Sequence, residues 1–332
     1  MVEILRHRIT DASAWHGPAL AGRQDWVMRP TPAMVTEMRD ATLRVAGRGL
    51  GFSRADFPLP LTAPWLAEAL EHVTDGRGFV LLRGLPTPGM SDAETRALYW
   101  GLGLHWGRAV KQNLRGDMLA EITDRGLDVN ALNVKPSQTN AEQRPHTDPG
   151  DVVALLCINP AQQGGLSRIA SLVAIHNAML ERFPEDLPVL YRGFHHDLRG
   201  DASEAAPFGS SPVPVPVYRW HQGKLSCVFN ASTIKDAQRR MGVTVPAEEM
   251  RAIDRMVDLA RSEEFRLDMD FQPGDLQLLN NWTVMHWRTG FTDNPALKRL
   301  LLRLWLLVDD IRPIHPSMRD GYITGAQTGR TA

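Results

Sequence analysis

The sequence predicts a mainly β fold with helical insertions, a β-sandwich or jelly roll rather than a doubly wound sheet. Short segments with apolar residues at every second position predict strands, and few helical stretches connect them. Residues 265–271 alternate in this way and are followed by a Pro-Gly-Asp turn at 273–275. Residues 297–308 place leucines on one face and two arginines on the other, which is typical of a strand that lines a pocket.

Helical periodicity predicts four helices outside these strands. Ser91 and Glu94 form a capping box at the start of one helix, and Pro184 ends another. The predicted helices cover residues 64–73, 91 to about 98, 171–183 and 246 to about 260. Buried strands are predicted at 78–85 and 152–158, and a hairpin at 217–229 that turns at 222–224.

The 332 residues show no internal repeat or low-complexity tract and are interpreted as one domain, 1–332. Within it, residues 1–60 are expected to form an N-terminal helical and irregular segment packed on the rest. Residues 200–217 contain several Pro, Ser and Val residues. They form either a lid over a site or a passive surface loop, and the sequence leaves both interpretations open.

Charge and composition narrow the classes of function. The 37 Lys and Arg against 38 Asp and Glu give a net charge of −1, so no positive field attracts nucleic acid or anionic lipid. The apolar stretches are shorter than the roughly 18 to 20 residues of a membrane span, and residues 6–8 are too polar for a signal peptide. Cys157 and Cys227 favour two buried thiols over a disulfide. We therefore expect a cytoplasmic protein that binds small molecules, without a nucleic-acid or membrane partner; a homo-oligomer is compatible with the sequence.

His146 and Asp148 precede the strand predicted at 152–158. In an extended chain, residues two positions apart project from one face, so this imidazole and this carboxylate can reach the same point. They supply two ligands of a facial triad, in which two histidines and one carboxylate leave three metal positions open, as in non-haem Fe(II) oxygenases. Alone, the His-x-Asp pair is a weak signal, because surface loops contain it by chance.

A competing group, His195-His196-Asp197, is interpreted as part of a solvated strand edge. His286 follows the Pro-Gly-Asp turn and has apolar neighbours, where a histidine is more often a packed core residue. The 140 residues between His146 and His286 leave room for strands that join two sheet ends, which favours the pair at 146 and 148. Arg288 shares a strand face with His286 and is expected to be exposed.

Arg299 follows His286 by thirteen residues, and Arg303 follows four residues later. A guanidinium suits bidentate recognition of a carboxylate, and its burial in an apolar strand is unfavourable without an anion. An internal ion pair is the alternative. Two arginines on one face beside a metal site favour anions of bound ligands.

These segments together resemble the TauD/TfdA family of Fe(II)- and 2-oxoglutarate-dependent dioxygenases. The resemblance covers roughly residues 76–308, in the blocks GRGFVLLRGL, HTDPGD, LLCINPAQQGGLSRIAS, DMDFQPGDLQLLNNWTVMHWRTGF and KRLLLRLWL. It implies a double-stranded β-helix (jelly roll) core of eight strands flanked by α-helices.

The resemblance also implies roles for individual residues. The iron ligands would be His146, Asp148 and His286. Arg299 would bind the distal carboxylate of 2-oxoglutarate, assisted by the hydroxyl of Ser167. Arg303 matches a second arginine that faces the metal and holds a substrate or cosubstrate anion. Gln112 and Asn113 lie in a segment that runs beside the pocket in relatives and are expected to contact the substrate.

The implied activity is hydroxylation of a small metabolite, carboxylate-bearing or amino-acid-like, while 2-oxoglutarate and dioxygen are converted to succinate and carbon dioxide. The same ligand set also serves desaturation, epoxidation or cyclisation. Halogenation is disfavoured, because Asp148 occupies the position that a halide would need. A catalytically silent metal-binding or ligand-sensing jelly roll is the alternative from another class.

Overall fold

The computed structural model describes residues 3–113, 115–129, 134–198 and 209–318. Helices lie on the outside of two sheets, and the element bounds follow the apolar periodicity of the sequence. The helices are α1 (Gly17–Ala21), α2 (Pro32–Arg44), α3 (Ala63–Thr74), α4 (Asp92–Trp106), α5 (Leu172–Arg182), α6 (Leu187–Arg192), α7 (Ala231–Met241) and α8 (Ala247–Arg261).

The strands are short, as the alternating pattern predicts. They are β1 (Val27–Met28), β2 (Phe79–Leu82), β3 (Arg108–Ala109), β4 (Leu119–Ile122), β5 (Val152–Asn159), β6 (Gln163–Gly164), β7 (Ser167–Ser171), β8 (Tyr218–His221), β9 (Lys224–Cys227), β10 (Arg266–Met269), β11 (Leu276–Asn280), β12 (Val284–Arg288), β13 (Phe291–Thr292) and β14 (Leu300–Leu307).

The larger sheet has the strand order β1-β2-β11-β5-β14-β3, with β4 also paired to β14. The smaller sheet has the order β10-β7-β12. Apolar side chains of both sheets form one core cluster, in which Val153 and Leu279 of the larger sheet join Ile169 and Val284 of the smaller. Two sheets that share a core in this way form a sandwich, so the prediction of a mainly β core with helices outside is confirmed.

Strand β14 separates the core from the site. Leu302, Leu304 and Leu306 on one face pack in the cluster that also contains the buried sides of α3 and α4. The opposite face carries Arg303 and Trp305, which line a cavity. The alternation at 297–308 is therefore confirmed, and a strand rather than a leucine-rich helix forms here because only a two-residue period separates the leucines from the arginines.

The four predicted helices are confirmed as α3, α4, α5 and α8, although α4 continues to Trp106, beyond the predicted end near residue 98. Ser91 and Glu94 form the predicted capping box, with Oγ of Ser91 accepting from the backbone N of Glu94. Helix α7 was not predicted, because its first turn consists of Ala, Ser and Thr, of which Ser and Thr are weak helix formers. The side chain of Asn230 caps that turn.

In the N-terminal segment, β1 pairs in parallel with β2, and Phe52 and Phe57 join the cluster beneath α3 and α4. The assignment of residues 1–332 to one domain stays a prediction. Of the loop predicted at 200–217, residues 200–208 lie outside the described residues. Residues 209–217 are held by backbone bonds, for example between Phe194 and Val215 in both directions. No helix of the described ranges is long and apolar enough to cross a membrane.

Candidate metal centre and adjoining cavities

His146 and His286 lie side by side although 140 residues separate them. Each donates its backbone N–H to the carbonyl oxygen of the other, over 3.0 Å from His146 and 2.9 Å from His286. The two ring centroids are 4.4 Å apart. Because His286 lies in β12 and β12 pairs with β7, the smaller sheet sets the position of both imidazoles.

Asp148 completes a cluster of three side chains that can ligate a metal ion. Its Oδ1 lies 3.7 Å from Nε2 of His146, and its Oδ2 lies 3.5 Å from Nε2 of His286. One ligand atom from each residue lies within 4.8 Å of the others, and no second group of this kind occurs among the described residues. Two imidazole nitrogens and one carboxylate oxygen fit an Fe(II) ion that keeps open positions for other ligands.

The imidazole of His146 is prepared for metal binding by its surroundings. Its Nδ1 lies 2.8 Å from the carbonyl oxygen of Arg144, an arrangement in which Nδ1 donates and Nε2 carries the lone pair. Burial, together with the electrostatic effect of the neighbouring His286 ring, lowers the pKa of His146 to about 4. The ring is therefore neutral near pH 7, which is the form that ligates metals.

Two hydrogen-bond donors bind the same oxygen of the Asp148 carboxylate, so the other oxygen has fewer protein contacts. Arg303 Nη1 donates to Oδ2 over 3.0 Å, and Trp305 Nε1 donates to the same oxygen over 2.8 Å. Burial favours the protonated acid, but the charge of Arg303 and the contact with His286 outweigh it and hold the pKa of Asp148 well below its usual range. Asp148 is thus an anion whose Oδ1 can face a metal ion.

Arg303 is fixed by Gln112. The Nε of Arg303 donates to Oε1 of Gln112 over 2.8 Å, while Nε2 of Gln112 donates to the carbonyl oxygens of Met118 and Arg303 over 2.8 Å each. The amide of Gln112 is therefore occupied by these three bonds. Gln112 lines the cavity beside Asp148, and its direct role is to orient Arg303.

Asn113 lies away from the site, contrary to the prediction. Its Oδ1 accepts from the backbone N of Arg115, and its Nδ2 donates to Asp117 over 2.8 Å. Neither of the two cavities at the metal centre has Asn113 in its wall. The side chain stabilises a surface turn, and such Asn-centred turns are common wherever a polar loop joins two strands.

A smaller cavity of about 430 Å³ adjoins His286 and contains both Arg299 and Ser167 in its wall. The Arg299 side chain is buried, and its Nη1 has no hydrogen-bond partner in the described parts of the chain. Burial lowers the pKa of Arg299 to about 10, so the side chain stays positively charged at neutral pH. The hydroxyl of Ser167 lies 3.3 Å from Oε1 of Gln277. A buried guanidinium with an unused donor is suited to bind an anion.

A larger cavity of about 950 Å³ has Asp148 in its wall. Arg303 contributes to the walls of both cavities. Most residues that line the larger cavity are polar residue types, among them Lys135, Ser137, Arg144, His196, Asn230 and Thr233.

The interpretation of 195–197 as a solvated strand edge is wrong. His196 is 1% exposed and lies in the wall of the larger cavity, with Nδ1 at 2.8 Å from Oγ1 of Thr233. Asp197 is also buried and forms an ion pair with Arg240 at 2.7 Å. The available signal was the apolar Phe194, which shares the alternating face of His196.

Arg288 is also buried rather than exposed, because its donors are directed at backbone carbonyl oxygens inside the protein. It lies directly opposite Ser167 in the pairing of β12 with β7. No local feature of the sequence predicts this burial, since the carbonyl oxygens that Arg288 binds come from residues about 150 positions earlier.

Comparison with known proteins agrees with this site. The sequence profile described as "Taurine catabolism dioxygenase TauD, TfdA family" matches residues 42–305. FR-33289 synthase of Streptomyces rubellomurinus is 32% identical, over 96% of this chain and 96% of that protein. The taurine hydroxylase-like protein SAT17 of Stachybotrys chartarum is 27% identical, over 92% of this chain and 82% of its own length.

Solved structures share the fold at low identity. An asparagine oxygenase in complex with Fe(II), 2S,3S-3-hydroxyasparagine and succinate superposes with a TM-score of 0.66 at 14% identity, over 85% of this chain and 93% of that one. The non-haem iron oxygenase OrfP, in complex with Fe and alpha-ketoglutaric acid, gives 0.62 at 16% identity, over 86% and 94%. The predicted jelly-roll fold with flanking helices is therefore confirmed.

The family profile spans most of the chain, and the three ligating side chains lie within the matched residues. The prediction of an oxygenase from the TauD/TfdA resemblance is confirmed. This chain belongs to the TauD/TfdA family of dioxygenases.

Proposed function

We propose that the protein is an Fe(II)- and 2-oxoglutarate-dependent dioxygenase that hydroxylates a small, carboxylate-bearing or amino-acid-like metabolite, with release of succinate and carbon dioxide. One observation carries the proposal: His146, Asp148 and His286 converge beside a cavity in which the buried Arg299 has an unused donor. A metal triad next to an anion-binding cavity is what this reaction requires.

His146, Asp148 and His286 would hold the iron. Iron and 2-oxoglutarate together supply the activation of dioxygen when they are bound. The protein's contribution is to fix the ligands, orient the organic molecules and exclude water. The backbone pairing of His146 with His286 and the donors on Asp148 Oδ2 perform the first task.

Arg299 would bind the distal carboxylate of 2-oxoglutarate in the smaller cavity, and the Ser167 hydroxyl would donate to the same group. A guanidinium pairs with a carboxylate through two parallel N–H···O bonds, and burial strengthens the pairing. The walls of this cavity also include His286, so a keto acid anchored at Arg299 extends toward the metal centre.

The larger cavity would hold the substrate. Arg303 lies in the walls of both cavities, so an anionic group of the substrate or the cosubstrate can approach it. Gln112 supports this role by fixing the Nε of Arg303. We no longer propose Asn113 as a substrate contact. The structural relatives carry hydroxylated amino acids, namely 3-hydroxyasparagine and (3S)-hydroxy-L-Arg, which supports hydroxylation of an amino-acid-like substrate.

The first experiment tests the metal centre. Anaerobic addition of Fe(II) and 2-oxoglutarate is expected to give a visible metal-to-ligand charge-transfer band, and His146→Ala is expected to abolish it. His195→Ala is the matched control, because Nδ1 of His195 contacts the carbonyl oxygen of Ser211 instead. An unchanged band in His146→Ala would eliminate the assigned ligand.

The second experiment tests the anchor and the reaction. Arg299→Ala is expected to weaken 2-oxoglutarate binding far more than iron binding, and equal keto-acid affinity would reject the assignment. A screen of small carboxylates and amino acids, with succinate formation measured against dioxygen uptake, identifies the substrate. Product analysis then separates hydroxylation from desaturation, epoxidation or cyclisation, and no succinate with any compound would favour a silent binding protein.

We also propose a cytoplasmic location, supported by the two free, buried cysteines Cys157 and Cys227. Fractionation of the producing cells tests this proposal.

A further inference from the structure

Two buried arginines in the wall of the smaller cavity, Arg288 and Arg299, lie against the same phenylalanine, Phe291. Their guanidinium carbons are 4.6 Å and 5.1 Å from the ring centroid of Phe291. The guanidinium group of arginine is not deprotonated in proteins near neutral pH. Both side chains therefore carry a positive charge near pH 7, at close range and shielded from water.

No carboxylate neutralises these charges by an ion pair among the residues that the structure describes. The nearest acidic group in sequence, Asp293, attracts both arginines electrostatically, but its Oδ1 accepts the backbone N–H of Arg299 over 2.8 Å rather than a guanidinium donor. Within the described ranges, Nε of Arg288 and Nη1 of Arg299 are both buried without a hydrogen-bond partner. Two buried cations with unused donors are unfavourable unless an anion joins them.

The terminal nitrogens of Arg288, Nη1 and Nη2, donate hydrogen bonds to the backbone of a different segment. Nη1 donates to the carbonyl oxygen of Ala141 over 2.6 Å, and Nη2 donates to those of Pro136, over 3.1 Å, and Thr139. These carbonyl oxygens belong to residues 136–141, here called the 136–141 segment. Pro136 and Ser137 of this segment line the larger cavity. Arg288 therefore lines the smaller cavity and also binds residues that form part of the wall of the larger cavity.

We propose that Arg288 is a second cationic group for the distal carboxylate of a dicarboxylic keto acid, acting with Arg299, and that an anion in the smaller cavity steadies the 136–141 segment through it. The proposal rests on the proposed function, because the keto acid is the cosubstrate of that reaction. A carboxylate that accepts from Nε would fix the guanidinium plane, and the plane sets the direction of the Nη1 and Nη2 donors. The anion would thus restrain the carbonyl oxygens of the segment.

A cycle of two ligands and two proteins tests the first half of the proposal. The ligands are 2-oxoglutarate and 2-oxopentanoate, which has the same five-carbon chain without the distal carboxylate. Binding is measured anaerobically by calorimetry, with Mn(II) in the metal site. Arg288→Gln is expected to weaken 2-oxoglutarate by about 10- to 100-fold, as for loss of a charged hydrogen bond, and to leave 2-oxopentanoate nearly unchanged. Equal weakening of both ligands would overturn the proposal, because it would indicate general damage to the cavity.

Two further variants distinguish the effect of the Arg288 charge from a general effect on folding. Arg288→Lys keeps the charge but cannot bond all of the carbonyl oxygens, so it is expected to retain part of the preference for 2-oxoglutarate even if Arg288→Gln fails to fold. A lysine variant without any preference would count against a role for charge. Arg255→Gln is the matched control, because Arg255 also stacks on a phenylalanine, at 4.1 Å from Phe183, and lines neither cavity.

Hydrogen exchange tests the second half. The amides of Gln138 and Thr139 donate to the carbonyl oxygens of Lys135 and Pro136 within the segment or at its edge. 2-Oxoglutarate is expected to slow their exchange in the wild-type protein and not in Arg288→Gln or Arg288→Lys. Exchange that is insensitive to the keto acid in the wild type would overturn the coupling. Failure of the wild type to bind 2-oxoglutarate would instead contradict the proposed function, so the two failures are distinguishable.

Discussion

The indole Nε1 of Trp305 donates a hydrogen bond of 2.8 Å to Oδ2 of Asp148, the carboxylate of the metal cluster. Trp305 and Arg303 project from the same face of β14 and reach the same oxygen. This arrangement leaves Oδ1 as the oxygen with fewer protein contacts. Strand β14, which lies between the core and the metal cluster, therefore also orients the ligand Asp148. Residues that donate hydrogen bonds to metal ligands commonly have this role.

Trp305→Phe removes that donor while keeping an aromatic ring in the cavity wall. We expect iron affinity to fall by roughly tenfold, because loss of a hydrogen bond to a metal-ligating side chain typically lowers metal affinity by at least this factor. The loss is not larger because Arg303 still binds Asp148. Titration of the apo-protein with Fe(II) under anaerobic conditions measures it. Trp282→Phe is the control, since its indole bonds to Asp151 over 2.8 Å, outside the cluster. Equal losses in both variants would show that the Asp148 contact has no special effect.

Gly165→Ala is expected to displace Arg299. Gly165 has a φ of +71°, and a Cβ there would lie 2.9 Å from Nε of Arg299. We expect 2-oxoglutarate to bind about tenfold more weakly, since a small displacement of a binding group has large effects. The left-handed backbone adds a stability cost of about 1 kcal/mol.

Gly84→Ala controls for this backbone cost. Gly84 has a φ of +92°, and a Cβ there would meet no atom within 4 Å. It is expected to lose similar stability, measured by urea unfolding, with unchanged keto-acid affinity measured by calorimetry. If Gly84→Ala also weakened the keto acid, backbone strain rather than the contact with Arg299 would be responsible.

The protein is expected to lose stability as the pH falls from about 6.5 toward 4. His176 is buried, with Nε2 at 2.9 Å from the Tyr191 hydroxyl, and burial lowers its pKa to about 4. Between these pH values the unfolded chain binds a proton that the folded chain does not, so the free energy of unfolding decreases. The part due to His176 reaches about 2 kcal/mol at pH 5.

Urea unfolding at pH 5 and pH 7.5 measures this dependence. His176→Leu is expected to flatten it without removing it, because burial also lowers the pKa of His196, to about 3. A variant with the same pH dependence as the wild type would contradict the assignment to His176.

Metal binding is expected to stabilise the fold. A ligand that binds only the folded state adds about 2.7 kcal/mol at a concentration one hundred times its dissociation constant. Mn(II), which forms the same kind of site, should therefore raise the Tm, and a chelator should reverse the rise. Asp148→Asn keeps the shape but weakens the charge of the cluster, so its Tm should respond much less; an equal response would place the bound ion elsewhere.

The sequence by itself determined the strand pattern, the four strongest helices and the candidate ligands, because side-chain period and residue chemistry are local properties. Residues 299–308 show this well, since one face is wholly apolar and the other carries both arginines. The spacing from His146 allowed His286 as the second metal histidine, but only the family resemblance assigned it, because a lone histidine among apolar residues is usually part of a core.

Only the tertiary structure decided which polar residues meet. His196 and Arg288 were expected at the surface, but partners distant in the chain, such as Thr233 and the carbonyl oxygens of the 136–141 segment, bury them. Conversely, Asn113 has the polar groups of a substrate contact, but its side chain forms hydrogen bonds within a local turn. Burial of a polar group depends on hydrogen-bond partners from other strands and loops, and local sequence does not specify which strands and loops will pack together.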